Sequence, residues 1–153
     1  MSIENKEVEK RIRAFSEACQ SYGVKATHQR REIYRELART EEHPDAETLY
    51  SRVRKRVPAI SLDTVYRTLR LLEEKGVISH VGSLGERTRF DANNDRHHHF
   101  ICKECGFIGD FYDEELNHFP TPSEVKAMGT VNSVHMELRG ICKTCLGKKN
   151  DRR

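Results

Sequence analysis

The sequence feature that most constrains the fold is a Cys-x-x-Cys spacing that occurs twice, as Cys102 with Cys105 and as Cys142 with Cys145. Two residues between the cysteines let both sulfurs reach one ion from a tight turn, and two such turns complete a tetrahedron of thiolates suited to Zn²⁺. Four sulfur ligands leave no open coordination position, so we predict a structural zinc and no catalysis by that ion. A reversible dithiol switch is the alternative interpretation.

The length of the chain and a change in its character predict two domains. A chain of 153 residues can form one ordinary domain or two small ones, and a domain below about 80 residues usually needs a staple such as a metal. Helical periodicity prevails over residues 1–90, whereas short strand-like segments follow. We therefore predict one domain over 1–90, a hinge near 91–95, and a zinc-bearing α+β domain over 91–153.

Apolar spacing and capping residues predict four helices and a hairpin in the first domain. The apolar residues of the first helix recur at intervals of three and four residues, and they are Val8, Ile12, Phe15, Cys19 and Tyr22. Boundaries are marked by N-cap residues, closing glycines and a proline, namely Thr27, Asp45, Ser61, Gly23, Gly76 and Pro58. The segments 77–81 and 87–91 flank the turn "GSLGE", which predicts a β-hairpin. The whole is a winged helix-turn-helix pattern.

The fourth predicted helix has a polar outward face in a domain that is basic. This face consists of Asp63, Thr64, Tyr66, Arg67 and Arg70. Residues 1–90 carry 18 Lys and Arg against 14 Asp and Glu, which makes this domain the candidate for a polyanionic partner. A solvated, salt-bridged surface is the alternative interpretation of the charge, and partial core packing is the alternative for Tyr66.

The second domain alternates strand-like segments with one capped helix. Strands are predicted within 99–102, 106–112 and 131–142. Between them, Thr121 and Glu124 form the pattern of a capping box, with Pro122 as the first helical residue and Gly129 closing the helix. The tail from Gly147 onward is expected to fray. This mixture predicts an α+β fold.

A second set of residues has the chemistry of a different metal site. His97 and His99 are two apart, so on a strand they point to one face while His98 points to the other. Asp91, Asp110 and His43 are further candidate ligands of nitrogen and oxygen type, suited to Fe²⁺, Mn²⁺ or Zn²⁺. For His43, an exposed polar residue before a helix is the alternative. We interpret His28, His80, His118 and His135 as surface or structural residues and leave the role of His98 open.

Composition and motifs exclude several classes of protein. No apolar run approaches the roughly 20 residues that a membrane span requires. The first ten residues lack the apolar core of a secretory signal, so we expect a cytoplasmic location and no membrane. The chain contains no nucleophile elbow, P-loop or HExxH motif, and it offers no positive case for an enzyme.

Several motifs together resemble the ferric uptake regulator family of metal-dependent repressors. They are "KATHQR" at 25–30, "HPDAETLY" at 43–50, "SLDTVYRTLRLLEEKGVI" at 61–78, "RFD" at 89–91, "HHHFICKECG" at 97–106 and "GICKTC" at 140–145. The resemblance implies a winged-helix domain, a hinge and a C-terminal dimerization domain with zinc on four cysteines. It implies a homodimer that binds a palindromic operator in double-stranded DNA. It also implies a second, regulatory metal.

The resemblance assigns roles to particular residues. By position, the regulatory Fe²⁺ or Mn²⁺ falls to His43, Asp91, His97, His99 and Asp110. Aspartate at 110 matches the peroxide-sensing branch, in which bound ferrous iron reacts with H₂O₂ and a ligating histidine is oxidised. A repressor that senses iron or zinc supply shares every other motif. The expected DNA contacts are Lys25 and the outward residues Thr64, Tyr66, Arg67 and Arg70.

The chain departs from the family pattern in two places. Many relatives place acidic residues where this chain has His98 and Asn117, which leaves the presence of a third metal site open. The family's dimerization segment is usually one longer helix, which Pro120 and Pro122 should shorten or break in two.

A thiol redox switch and a metal-dependent enzyme remain the competing functions from other classes.

Overall fold

The computed structural model of the protein describes residues 3–82 and 87–151. The chain divides into two compact units, and the division falls between Asn94 and Asp95. Within these residues, the first unit contains four helices and a two-stranded sheet, and the second contains a three-stranded sheet and three short helices. Among the residues described, no helix combines the length and apolar character that crossing a membrane requires.

Four helices of the first unit are α1 (Asn5–Ser21), α2 (His28–Ala38), α3 (Ala46–Val53) and α4 (Leu62–Glu74). The predicted N-caps of α2, α3 and α4 are confirmed, because Thr27, Asp45 and Ser61 each accept a backbone N–H from the first turn. Such caps satisfy amide groups that have no partner inside the helix. Gly23 and Gly76 follow α1 and α4 with φ of 66° and 69°, which is the left-handed conformation expected of closing glycines.

One apolar cluster forms the core of the first unit. All four helices contribute buried side chains to it, and the rings of Phe15 and Tyr34 stack with centroids 4.4 Å apart. Two details of the prediction were wrong. Tyr22 is 54% exposed, because it lies after the last residue of α1. Helix α3 ends at Val53, before Pro58, so the proline does not stop it.

The predicted hairpin is present after α4. Strand β1 (Ser79–Val81) pairs antiparallel with β2 (Arg89–Asp91), with His80 opposite Phe90. Most of the predicted turn, residues 83–86, lies outside the described residues. The order of three helices, a polar-faced helix and a hairpin is that of a winged helix, as predicted.

The second unit is an α+β arrangement, which confirms the predicted class. Its sheet has the order β4-β3-β5, formed by β3 (His98–Cys102), β4 (Ile108–Phe111) and β5 (Glu137–Gly140). Strand β3 pairs antiparallel with β4 and parallel with β5. Among the described residues after Asn94, only three apolar side chains are buried: Ile101, Cys102 and Ile108.

The helices of the second unit differ from the sequence expectations in part. Helices α5 (Glu114–Asn117) and α6 (Ser123–Met128) flank Pro120, which confirms that the prolines divide this segment. Thr121 does not cap α6: Pro122 occupies the N-cap position, and no side-chain cap is present. Helix α7 (Lys143–Asn150) continues where we expected a frayed tail.

Candidate functional site

Strand pairing brings the two cysteine pairs together. Cys102 ends β3, and a tight turn with Gly106 at φ 74° leads back to β4. In the parallel β3–β5 pair, Cys102 lies opposite Gly140, two residues before Cys142. Cys142 is in turn the N-cap of α7, whose first turn carries Cys145. The sheet register therefore delivers both pairs to one place.

The distances between the sulfurs fit a tetrahedral metal site. Cys105 Sγ lies 3.7 Å from Cys142 Sγ, and Cys102 Sγ lies 4.0 Å from Cys145 Sγ. All four sulfurs lie within 4.8 Å of one another. Tetrahedral zinc with Zn–S bonds of about 2.3 Å requires sulfurs about 3.8 Å apart, whereas a disulfide requires about 2.05 Å. The group therefore has the spacing of a closed four-thiolate site.

Local hydrogen bonds shift the pKa values of two of these thiols in opposite directions. Backbone N–H groups of Cys105 and Cys142 point at Cys102 and lower its pKa to about 6. The hydrogen bond with Cys142 and burial raise the pKa of Cys145 to about 12. Hydrogen bonding thus favours the thiolate at Cys102 and the thiol at Cys145, and the negative charge on Cys102 adds to the rise in the pKa of Cys145. A divalent cation relieves this conflict and lets all four sulfurs ligate.

A nitrogen and oxygen group lies elsewhere in the second unit. The antiparallel register places His99 opposite Asp110, and His99 Nε2 lies 3.3 Å from Asp110 Oδ1. His97 Nε2 lies 3.0 Å from His99 Nε2 and 3.8 Å from Asp110 Oδ1. Ligands about 2.1 Å from one ion lie about 3.0–3.4 Å apart in octahedral or tetrahedral geometry. The distances from His99 to His97 and to Asp110 fall in this range, and the distance from His97 to Asp110 is slightly longer.

One hydrogen bond fixes the tautomer of His97. Its Nδ1–H donates to the carbonyl of Asp95 at 2.5 Å. The proton on Nδ1 leaves a lone pair on Nε2, the nitrogen that faces His99. A ligating histidine commonly uses its second nitrogen in this way, since the bond also orients the ring. The prediction that His97 and His99 share a face is confirmed.

His98 points elsewhere and has both ring nitrogens engaged. The Met136 backbone N–H donates to its Nδ1 at 3.1 Å, so Nε2 carries the proton and donates to Asn117 Oδ1, also at 3.1 Å. The side chain is fully buried. Neither nitrogen has a lone pair left for a metal while these bonds last. His98 is therefore a structural residue that joins β3 to α5.

Two further candidate ligands lie in the first unit. His43 Nε2 lies 3.4 Å from Asp91 Oδ2, and both residues are buried. The other oxygen of Asp91, Oδ1, accepts the Asn93 backbone N–H at 2.8 Å. That bond turns Oδ2 toward His43. The alternative of an exposed His43 is excluded, because only 3% of its surface is accessible.

The outward face of α4 carries the predicted DNA contacts. Tyr66 is 45% exposed, which excludes packing in the core. Arg67 is exposed and pairs with Asp63 one turn earlier at 2.9 Å, while Arg70 is exposed beside Tyr66. Thr64 bonds back to Ser61, with their hydroxyls 2.8 Å apart. The face is thus polar and basic, with Tyr66, Arg67 and Arg70 exposed and Thr64 half-buried.

The start of α2 adds residues that the sequence reasoning missed. Gln29 and Arg30 line a cleft of about 280 Å³ together with Thr64 and Arg67 of α4. Arg30 Nη1 also donates to the carbonyl of exposed Lys25 at 2.8 Å. Lys25, a predicted DNA contact, therefore lies next to this cleft. The signal was the segment "THQR", in which the N-cap Thr27 places the polar residues Gln29 and Arg30 in the first turn of α2.

Fold and site together define a class of protein: a regulator with a winged-helix unit and a metal-bearing α+β unit. The sequence pattern of the Ferric uptake regulator family matches residues 21–139. This match spans more than half of the chain. The chain therefore belongs to the Ferric uptake regulator family, as the resemblance indicated, and it is a metal-responsive repressor of that family.

Individual relatives support the same family. The peroxide-responsive repressor PerR of Staphylococcus aureus is 32% identical over 148 residues, which cover 97% of this chain and 100% of that protein. The Helicobacter pylori ferric uptake regulator has a TM-score of 0.74 at 26% identity, over 95% of this chain and 97% of that one. The Campylobacter jejuni peroxide stress regulator has a TM-score of 0.66 at 29% identity, over 94% of this chain and 100% of that one. Each of these relatives is a regulator by name.

Proposed function

We propose that this protein is a metal-dependent DNA-binding repressor that senses peroxide. The observation that carries the proposal is the group of His97, His99 and Asp110, whose ligand atoms converge at distances suited to one divalent ion. The aspartate is the residue that separates the peroxide-sensing branch from the iron-uptake branch in the family resemblance. Similarity to the Staphylococcus aureus peroxide-responsive repressor over nearly the whole chain supports the same branch.

Two ions with different tasks follow from the two ligand groups. The four cysteines are proposed to hold a permanent Zn²⁺, because a closed thiolate set offers a strong, redox-inert structural site. The histidines and aspartates are proposed to hold an exchangeable Fe²⁺ or Mn²⁺, because imidazole and carboxylate suit these harder ions. The first site supports the fold of the second unit. The second site reports a signal.

The exchangeable ion is proposed to act as a conformational clamp. The residues proposed as its ligands fall on both sides of the unit boundary in the sequence, with His43 and Asp91 before it and His97, His99 and Asp110 after it. A ligand can favour only the arrangement for which it has higher affinity. To shift a population from 1:99 to 99:1, the ion must prefer one arrangement by about 10⁴-fold, or roughly 5.5 kcal/mol. Losing one or two ligands would forfeit much of that preference.

Peroxide is proposed to act by removing a ligand. When bound, ferrous iron supplies the redox chemistry that H₂O₂ requires. The net change is that one oxygen atom is inserted into a ring C–H bond of His43 or His97, and H₂O₂ leaves as water. An oxidised ring is a poorer ligand, so the clamp opens and DNA is released. Mn²⁺ supports the clamp without this sensitivity.

The DNA partner is proposed to bind the α4 face. A helix that enters the major groove reads base edges with its exposed side chains, and here these are Thr64, Tyr66, Arg67 and Arg70. Lys25 is proposed to contact the backbone or the minor groove. Gln29 and Arg30, which share a cleft with the α4 face, extend this surface.

We further propose a homodimer that recognises a palindromic operator. Strand β5 is an outer strand of its sheet, and its Leu138 is 47% exposed. An accessible edge strand can pair with the same strand of a second copy about a two-fold axis. Two recognition helices related by that axis would read two half-sites.

We propose a cytoplasmic location and no enzymatic turnover.

Mass spectrometry after H₂O₂ exposure tests the peroxide function. The protein is loaded with zinc and then with either Fe²⁺ or Mn²⁺, treated with H₂O₂, and digested. We expect one added oxygen atom at His43 or His97 in the Fe²⁺ form and none in the Mn²⁺ form. The variant Asp110→Glu should keep metal-dependent DNA binding while losing this oxidation.

Other outcomes identify the competing functions. An Fe²⁺ form without added oxygen at either histidine would remove the peroxide assignment and favour an iron- or zinc-supply sensor, whereas equal oxidation of the parent and Asp110→Glu would remove only the role given to Asp110. Loss of zinc with disulfide formation before any histidine changes would identify a thiol switch. Turnover of a substrate at the metal would identify an enzyme.

A further inference from the structure

We propose that Arg89 is the positioning residue of His43: its guanidinium fixes the backbone conformation that aims the imidazole at Asp91. Arg89 lies on β2, the strand that ends at Asp91. The inference rests on the proposed regulatory site and assigns a role to a residue that is not one of its ligands. It concerns the first unit alone.

The backbone of His43 needs external support. Its φ is 53°, and it is the one non-glycine residue with positive φ in the part of the chain that the structure describes. A side chain with a Cβ is disfavoured in this left-handed region, and such residues persist only where their surroundings hold them. The following residue, Pro44, also disfavours the right-handed helical conformation for His43. The local sequence by itself does not specify the observed conformation.

Arg89 supplies that support through two successive carbonyl groups. Its Nε donates to the carbonyl of His43, and its Nη2 donates to the carbonyl of Glu42 at 2.8 Å. The planar guanidinium presents its donors in a fixed fork, so two bonds define the direction of both carbonyls. Turning the peptide after His43 would break the first of them.

Neighbouring backbone contacts attach the same segment to β2. The Phe90 N–H donates to the Pro44 carbonyl at 3.0 Å, and Asp45 forms an isolated bridge with Arg89. The loop is therefore fixed to the strand that carries Asp91. With Asp91 Oδ1 committed to the Asn93 N–H, the result is the 3.4 Å approach of His43 Nε2 to Asp91 Oδ2.

The chain offers a matched control two residues away. Arg87 pairs with the side chains of Asp45 and Glu47, and the contacts described for it do not include the His43 carbonyl. Replacing Arg87 removes the same charge from the same hairpin arm. A general electrostatic effect on metal binding would appear in both variants, whereas a positioning effect should appear only at Arg89.

Titration of the zinc-loaded protein with Mn²⁺, followed by electron paramagnetic resonance, tests the proposal. Arg89→Gln should weaken Mn²⁺ binding about ten-fold, which corresponds to about 1.4 kcal/mol. Arg89→Lys, which keeps one donor but not the fork, should fall between Arg89→Gln and the parent. Arg87→Gln should stay within about two-fold of the parent. The zinc content and the melting temperature without Mn²⁺ are measured for each variant.

The outcomes separate this inference from the proposed function. If Asp91→Asn and His97→Ala lose Mn²⁺ but Arg89→Gln and Arg89→Lys bind it like the parent, the positioning role is wrong and the site stands. Equal weakening by Arg87→Gln would also overturn the positioning role. If neither ligand variant changes Mn²⁺ affinity, the regulatory site itself is wrong. Should Arg89→Gln not fold, a graded loss in Arg89→Lys at parental melting temperature still decides the question.

Discussion

The two units of this protein are stabilised by different means. The first buries nineteen apolar side chains in one cluster. In the described part of the second, three apolar side chains are buried, and one of them, Cys102, belongs to the four-cysteine group. A fully buried aliphatic or aromatic side chain contributes about 1.5–3 kcal/mol, so apolar burial suffices for the first unit and is insufficient for the second.

This difference assigns the metal sites their physical roles. The binding of a structural zinc contributes about 10–16 kcal/mol to the folding free energy of a small domain. This contribution can take the place of a large apolar core. The first unit has no such need, and its candidate ligands, His43 and Asp91, are few and rest on an independent fold. An ion exchanged at the proposed regulatory site, whose other candidate ligands are His97, His99 and Asp110, would therefore leave the fold of the first unit intact. The proposed function accordingly assigns a permanent ion to the four cysteines and an exchangeable ion to the histidines and aspartates.

The largest predicted effect comes from breaking the cysteine group. Cys142→Ser removes one zinc ligand, and we expect the second unit to lose its fold while the first retains it. Hydrogen exchange read by mass spectrometry should show the loss of amide protection in β3, at 98–102, with protection kept in α2, at 32–38. Native mass spectrometry should show loss of zinc and of the dimer.

Lys103→Ser is the matched control for this variant. Lys103 lies in the same turn as Cys102 and Cys105, and its backbone N–H, which donates to the Gly140 carbonyl at 2.8 Å, is unaffected by the substitution. The Lys103→Ser variant should therefore keep its zinc and the amide protection of β3. A folded, zinc-free dimer of Cys142→Ser would contradict the structural role of the cysteines.

A smaller effect is expected from a cavity in the first core. Leu37 is 2% exposed in the cluster, so Leu37→Ala should lower the free energy of unfolding of the first unit by about 2–5 kcal/mol. Met128→Ala, at a side chain that is 83% exposed, should change stability by less than about 0.5 kcal/mol. Guanidinium unfolding, with hydrogen exchange read for each unit, measures both. A similar cost for the two variants would contradict the assignment of the core.

The smallest predicted effect is a pH dependence confined to the first unit. Burial raises the pKa of Glu32. The hydrogen bond and the attraction to Arg56, at 2.8 Å, together lower this pKa by more than burial raises it, so the net shift is downward. A depressed pKa gives stability that is present above the unfolded value of about 4.3 and is lost as pH falls through the folded value. Glu32→Gln should therefore reduce the loss of stability between about pH 5 and 3.

We expect this change to be about 1 kcal/mol, because the partner Arg56 is partly exposed. The exposed carboxylate Glu41 provides the control, and Glu41→Gln should leave the pH profile of the parent unchanged. Urea unfolding at a series of pH values, followed in α2 by hydrogen exchange, measures the difference. Identical profiles for Glu32→Gln and the parent would show that the buried pair does not contribute.

Local chemistry made much of the fold predictable. The caps Thr27, Asp45 and Ser61 follow from the sequence alone, because each satisfies backbone groups within three residues. The His97 and His99 pair followed from the two-residue period of a strand. Thr121 failed as a cap because the backbone around Pro122 starts α6 one residue later.

The roles of Arg89 and His98 could not be predicted from the sequence. Arg89 contacts carbonyls 46 and 47 residues earlier in the chain, and no periodicity encodes such a contact. The bonds of His98 to Asn117 and Met136 depend in the same way on how β3 meets distant segments. Sequence patterns identify candidate ligands, whereas the groups that orient them appear only in the folded chain.

The most direct test of the central claim is the effect of Mn²⁺ on DNA affinity. A duplex selected by the protein from a randomised pool is titrated, by fluorescence anisotropy at fixed ionic strength, with zinc-loaded protein in the presence and absence of Mn²⁺. We predict that Mn²⁺ tightens binding by at least about 100-fold, a coupling of roughly 2.7 kcal/mol, and that His97→Ala abolishes this response. Equal affinity with and without Mn²⁺ in the parent would contradict the claim that an exchangeable ion controls this repressor.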